Sequence, residues 1–590
     1  MSKKEKVYAS IEEQENETGE IHPESKELQA ARLGRKVSDD YIVRGVSVGL
    51  AAVIIVYALF NGTGFINAVG VMRTFITHYF SWWIIVMTAL CMIWCLYITF
   101  SKYGKIILGG KDARPAFSRF SWFTMLFATG QGVGLVYWAV AEPLMMMSEA
   151  NQVLAAPAEL FQPDMALAWT YFHWGIPAWP IYAIVSLFLA YSRYNMKKDN
   201  TFRGSVEELF KGSARKVVGI ICEILAVLAT IFGLTTSLGL ASYQFNTGVL
   251  EVSGLATTPF FLQVLWVALF GGLATLSVWL GVVKGIKNIS NFAAVTSIIL
   301  MILVFIIGPT TYILGMVPES IGVYLDQFIL MTGFSEAQHL GGSIAAYGET
   351  WMAFWSFFIF CWCFAFGTFT AGFISTISRG RSLSEFVIGV FAVGGGVCIV
   401  WTVIMGGTGL WASMSNPSMI EATCANSSAG LFLTLRSLPC SQLLCIIATI
   451  LIGAYIVTSV DSGVMALSGF VSAAAKESRP FKALLALSIT LLAVVFFTAG
   501  GEAVLNSIQF ACVAGGLPFT IVMVLMAIQF FKTAKHDPML VELGLGTPMP
   551  EDWIIAQQLK AYEEERAAEA ALEAAAEAEA AEAEVAAAEA

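Results

Sequence analysis

Apolar residues in this chain run in blocks of about twenty, separated by short polar, basic or glycine- and proline-bearing segments. A bilayer takes about 20 residues of helix to cross. In lipid a helix satisfies its own backbone, so each block predicts a membrane-spanning helix. The blocks lie at about 43–60, 78–100, 120–147, 165–191, 217–250, 258–283 and 289–315. Beyond a long loop come about 349–376, 384–413, 440–470, 481–499 and 504–531. The pattern predicts an all-α polytopic membrane protein with twelve transmembrane helices, in one membrane domain spanning about 43–531. A polar tail, 1–42, precedes it, and an acidic alanine- and glutamate-rich tail, 532–590, follows. That second tail favours helix but has no apolar stripe, so it reads as solvated helix or disorder. The long loop, about 316–348, contains PESIGVYLDQFILMTGF, whose apolar residues suit a short helix lying along the membrane surface, as a lid or a plain connector.

Lysines and arginines orient the blocks. They cluster in the loops after crossings two, four, six, eight and ten, among them Lys102, Lys105, Arg193, Lys198, Arg379 and Arg381. The opposite loops hold only Arg73 and Arg436. The positive-inside rule then predicts that both termini are cytoplasmic.

Composition agrees with a membrane protein. Of 590 residues, 57% are hydrophobic and 13% charged, against roughly 25% charged in soluble domains. The formal charge of −10 resides in the C-terminal tail, so it predicts no basic surface for nucleic acid. The first 40 residues carry no apolar core of a signal peptide. The ten cysteines show no metal-ligand spacing. Cys424 and Cys440 sit at an outer loop, where a disulfide or two thiols fit equally. No catalytic motif or cofactor fingerprint appears, so neither an enzyme nor a cofactor is expected.

Three crossings carry candidate chemistry. The third contains FATGQGVGLVYWAVAEP, Phe127–Pro143, with Gly130, Gly132 and Gly134 near its middle. Glycine weakens a helix by about 1 kcal/mol relative to alanine. Unwound backbone at membrane depth is tolerated only where it is buried or lines a cavity, so a broken helix at a transport site is one reading. Close helix packing on small residues is the other. In crossing four, Trp174, Trp179 and Tyr182 fall within an arc of about 140°, beside Pro177 and Pro180. Clustered aromatic faces suit a desolvated organic cation, although membrane tryptophans also serve as interfacial anchors. His173 reads as a hydrogen-bonded packing residue rather than a proton relay. In crossing ten, Tyr455, Thr458, Ser459 and Ser462 share one stripe of hydroxyls, suited to Na⁺ or to bonding between helices. Asp461, at the edge of that stripe, should be paired or face a polar cavity. Crossing eight is aromatic and, like crossing three, expected to be interrupted at glycines, here Gly367 and Gly372. Crossings three and eight begin successive groups of five, which makes inverted repeats at about 120–315 and 349–531.

Over about 43–531 the sequence resembles the betaine/choline/carnitine transporter family. The matching pieces are GQGVGLVYWAVAEP at 130–143, HWGIPAWPIY at 173–182, ATIFGLTTSLGL at 229–240, ISRGRS at 377–382 and TSVDS at 458–462. The resemblance implies a LeuT-type five-plus-five inverted repeat preceded by two extra helices, usually as a homotrimer in the bacterial inner membrane. It implies uptake of a small methylated ammonium or sulfonium solute, such as betaine, choline or carnitine, commonly with Na⁺ as coupling ion. Trp174, Trp179 and Tyr182 match the family's aromatic box, Trp362 and Phe366 its wall on crossing eight, and Tyr137 an aromatic position at the inner gate. Thr458 and Ser459, with Tyr455 and the backbone of Ala128 and Gln131, match the better-kept sodium site. Thr230 and Phe369 match parts of a second, where Leu234 replaces a threonine of sodium-coupled members and the adjacent Thr235 points about 100° away. Cys363 and Phe366 stand where betaine carriers commonly have tryptophan. Gly134 stands where proton-coupled choline carriers tend to have an acid, which favours sodium. Symport by alternating access is the leading expectation. A sodium-independent exchanger of the carnitine type and a non-transporting solute sensor are the alternatives.

Overall fold

The computed structural model describes residues 26–130, 132–148, 162–255, 257, 259–280, 283–336, 351–471, 479–500 and 504–550, and among these the chain is helical with no strand. The first 25 residues and the alanine- and glutamate-rich tail from 551 lie outside the described residues. Twelve helices among the described residues are long and apolar enough to cross a membrane. The molecule is an all-α polytopic membrane protein, as its apolar blocks predict.

The first two helices, α1 (Lys26–Phe60) and α2 (Gly62–Phe100), meet at Asn61, whose side-chain oxygen accepts from Gly64 N and caps α2. In α1 the apolar span is Asp39–Phe60, so the helix begins well inside the polar tail. The third crossing is broken as its glycines predict. It consists of α3 (Arg119–Gly130) and α4 (Val133–Met146), with Gly132 extended between them at φ −139°, ψ 172°. The fourth is broken too, into α5 (Pro163–Trp174) and α6 (Ala178–Tyr194), with the turn at Gly175–Pro177. Pro180 falls in the first turn of α6, where a missing N–H forfeits no helical hydrogen bond.

The longest helix, α7 (Gly212–Ser253), spans 42 residues, and is followed by α8 (Phe260–Leu280) and α9 (Val283–Ile307). The expected loop after crossing seven is instead largely α10 (Thr310–Gly333), 24 residues long and set off from α9 at Gly308–Pro309. Its buried stripe runs Ile313, Met316, Ser320, Tyr324 and Met331, a helical period that seats it on α5. Tyr171 and Ser320 hydroxyls meet there at 2.9 Å. By length α10 qualifies as a span and the two short halves of crossing three do not, so twelve is reached with a different membership. Taken as a surface helix, α10 leaves the alternation of basic loops intact.

Crossing eight departs from expectation. A single helix, α11 (Phe358–Ile377), runs unbroken through Gly367 and Gly372. The irregularity lies before it, in a π turn at Ala353–Phe357. Packing explains the difference: burial of most of the helix outweighs the weak preference of glycine against helix. Those glycines mark close approaches, since a Cβ on Gly372 would stand 2.8 Å from Phe470 Cζ. Next come α12 (Leu383–Gly389), a second π turn at Val390–Gly395, and α13 (Gly396–Ser415). Two short helices, α14 (Ser418–Ala425) and α15 (Ala429–Arg436), precede α16 (Ser441–Phe470). Cys424 and Cys440 form no disulfide. The last crossings are α17 (Arg479–Gly500) and α18 (Val504–Ala534), after which the short α19 (Pro538–Glu542) turns back. Asp537 accepts from Tyr191 Oη at 3.2 Å and Asn195 Nδ2 at 3.0 Å, which ties this segment to the end of α6. At the centre, α7 packs against α11, α16 and α18, and α11 also packs against α6.

Candidate functional site

Both breaks open on one cavity of about 70 Å³, several times the roughly 10–15 Å³ one water needs. Its walls come from the break before α4, the junction of α5 and α6, and from α7, α11, α13 and α16. Trp174 closes α5, and Trp179 and Tyr182 face the same space from the first turns of α6. Trp362 and Phe366, one turn apart on α11, face them. The aromatic residues singled out in crossings four and eight are therefore brought together, with Cys363 between them.

The rings are held edge to face. Trp174 and Trp362 meet with centroids 5.6 Å apart at 88°, and Trp179 and Tyr182 at 5.4 Å and 85°. In a T-shaped pair the edge of one ring covers one face of the other, and the remaining π faces are left to meet a cation. Glycines make room for them. A Cβ on Gly134 would lie 2.9 Å from Trp362 Cη2 and 3.0 Å from Trp174 Cζ3. A Cβ on Gly394, in the second π turn, would lie 2.0 Å from Trp179 Cε3. Neither site tolerates a side chain without moving an indole. Trp179 Nε1 donates to Cys398 Sγ at 3.4 Å. Gly394 and Cys398 escape sequence reasoning, though the run of three glycines at 394–396 was a visible signal.

Polar groups are few. Besides the Tyr182 phenol, Ser459, Ser237 and Thr370 are the hydroxyl side chains on the lining among the described residues. Thr458, one residue before Ser459, is buried, and its hydroxyl donates to Ala454 O at 3.0 Å. Tyr455 points elsewhere: its hydroxyl lies 2.9 Å from Ser297 Oγ on α9. Ala128 lies in the last turns of α3, and Gln131 is outside the described residues. Asp461 is fully buried, with Ser277 on α8 as its polar neighbour.

The residues matched to a second ion site divide. Thr230 Oγ1 lies 2.7 Å from Thr368 Oγ1, which joins α7 to α11; Thr368 was not anticipated. Phe369 packs edge to face on Phe366, 4.9 Å away. Leu234 is fully buried and its methyl groups fill the space over Gly463, where a Cβ would come within 2.4 Å of Leu234 Cδ1. Thr235 donates to Ile231 O at 2.8 Å within its own helix.

Tyr137 departs from its expected place on the substrate wall, whereas His173 is hydrogen-bonded within the packing, as expected. Tyr137 does not line the cavity: it is buried, with its hydroxyl 2.8 Å from Ser427 Oγ, between α14 and α15. His173 is fully buried, 2.5 Å from Glu142 Oε1 through Nδ1 and 2.8 Å from Ser356 Oγ through Nε2. Glu142 was inside a quoted motif without being singled out.

A family model described as "BCCT, betaine/carnitine/choline family transporter" matches residues 42–539. A glycine betaine transporter of Acinetobacter baylyi is 32% identical over 469 residues, 79% of this chain and 69% of that one. An ectoine/hydroxyectoine transporter of Virgibacillus pantothenticus is 32% identical over 466 residues, 78% of this chain and 89% of the relative. The glycine betaine transporter OpuD of Bacillus subtilis is 30% identical over 497 residues, 83% and 94% of the two chains.

Proposed function

The chain belongs to the betaine/carnitine/choline family of transporters, and from that premise we propose that its central cavity takes up a small zwitterion through a methylated cationic head. It is a membrane transporter of betaine-type solutes and not an enzyme. The observation that carries the reading is the convergence of Trp174, Trp179, Tyr182 and Trp362 on one cavity whose lining, among the described residues, holds no carboxylate. Each well-placed ring contributes about 1–2 kcal/mol of attraction to a quaternary ammonium. Ser459 on the cavity lining and Thr458, buried one residue before it on α16, supply hard oxygen and hold a coupling Na⁺, together with carbonyls of the broken third helix. Leu234 supports a single ion, because an aliphatic side chain fills the place of a ligand. Alternating access then follows from one helix group rocking against the other around the site. In this reading the termini are cytoplasmic, the membrane is the bacterial inner membrane and the assembly is a homotrimer.

Uptake of labelled glycine betaine into proteoliposomes, with and without an inward sodium gradient, tests the reading. Concentrative uptake that collapses without the gradient is expected. Counterflow at equal rate with no sodium on either side would replace symport by exchange, and absence of uptake together with absence of binding would remove the substrate assignment.

A further inference from the structure

Glu142 is an acidic side chain at zero exposure, and both of its oxygens are committed to consecutive residues at the end of α5. Oε1 meets His173 Nδ1 at 2.5 Å, and Oε2 accepts from Trp174 Nε1 at 2.7 Å. His173 Nε2 meets Ser356 Oγ at 2.8 Å, in the π turn that precedes α11. A carboxylate only accepts, so the ring nitrogen facing it carries the proton and the imidazole tautomer is fixed. An uncompensated carboxylate at this depth is strongly disfavoured, so removing either partner would leave a buried charge unpaired. A group that expensive to bury is held here against a cavity tryptophan.

Two physical effects act on Trp174. First, the Nε1–H bond fixes the indole about its side-chain torsions, which aims its six-membered ring at Gly134 and sets it perpendicular to Trp362. Second, an N–H that donates to an anion pushes electron density into the ring, and charge-assisted bonds in a low dielectric polarise most. A more electron-rich face attracts a cation more strongly. We propose that Glu142 is a positioning and specificity residue of the transport site: acting through Trp174, it selects for positive charge on the solute head. The inference rests on the reading that the cavity takes a cationic methylated head. A purely structural clamp between α4, α5 and the π turn would instead stabilise every ligand of the same shape alike.

The test compares glycine betaine with 3,3-dimethylbutanoate, its uncharged-head isostere in which carbon replaces nitrogen. Binding of both to purified protein is measured for wild type, Glu142→Gln, Trp174→Phe and the double variant. Glutamine preserves shape and an acceptor but removes the charge; phenylalanine keeps a ring and removes the N–H. Wild type is expected to prefer betaine, and each single variant should cut that preference by about tenfold while isostere binding changes about twofold or less. In the Trp174→Phe background, Glu142→Gln should cut the preference no further. An unchanged preference in either single variant overturns the role of Glu142 while leaving the substrate reading intact, as does an undiminished effect of Glu142→Gln in the Trp174→Phe background. Should Glu142→Gln fail to fold, Trp174→Phe alone still decides. A wild type that binds neither solute takes down the substrate reading and this inference with it.

Discussion

Gly134 and Gly132 are two residues apart in the same break, yet their surroundings make opposite demands. A Cβ on Gly132 meets nothing within 4 Å, and its φ of −139° suits any residue. A Cβ on Gly134 would press on Trp362 at 2.9 Å and on Trp174 at 3.0 Å, both rigid ring atoms. Overpacking of this kind costs about 1–3 kcal/mol. Gly134→Ala is therefore expected to weaken solute binding by about tenfold or more, while Gly132→Ala stays within about twofold, as titration of labelled solute on the purified variants would read. The same contacts explain why an acid has no room at position 134. Phe366 poses the converse question. It lines the cavity, and tryptophan attracts a cation better than a phenyl ring, so Phe366→Trp should raise the affinity for glycine betaine relative to the native solute. Competition among several methylated solutes, with thermal stability followed alongside, checks this; an unchanged rank order in a stable variant would show that residue 366 does not set selectivity.

At the scale of the element, what could be read from sequence followed the strength of the local signal. Three closely spaced glycines broke crossing three, and two prolines with Gly175 broke crossing four, because local backbone cost and ligand-side burial act together there. Gly367 and Gly372 carried the same local signal and broke nothing, since close packing against Tyr182 and Phe470 holds α11 straight. The π turn before α11 has no sequence marker of its own, and the one inside crossing nine runs into the glycines at 394–396; both arise where tertiary contacts accommodate one extra residue in a helix. The aromatic cavity was legible because it uses residues one or two turns apart. The Glu142–His173–Ser356 chain was not, because its members are joined only by the fold. The stripe on α16 bears directly on coupling. Ser459 faces the cavity and Thr458 is buried beside it, whereas Thr230 is already paired with Thr368 near a space filled by Leu234. Thr458→Ala and Ser459→Ala should each raise the sodium concentration for half-maximal uptake by several-fold. Thr230→Ala should leave it within about twofold, the loss of one hydroxyl pair costing about 1 kcal/mol of stability instead.

For the whole molecule, the question is how much work one ion supplies. A charge moving inward gains about 2.3 kcal/mol per 100 mV, and a tenfold sodium gradient adds about 1.4 kcal/mol. With one Na⁺ per neutral zwitterion the sum, about 3.7 kcal/mol, sustains accumulation of about 500-fold. Two ions would double the exponent, and an exchanger would gain nothing from either term. For a solute of zero net charge, voltage separates the three cases, because tenfold in accumulation corresponds to about 60 mV for each charge moved. Proteoliposomes clamped with a potassium gradient, at equal sodium on both sides, are expected to change their steady-state accumulation about tenfold for each 60 mV step. A slope of about a hundredfold would mean a second ion, and with Leu234 over Gly463 that ion would need oxygens other than the threonine pair. A flat response would mean that Ser459 and Thr458 hold no transported charge. The wall of tryptophans would then serve an exchanger, with the same specificity and no means of concentrating what it binds.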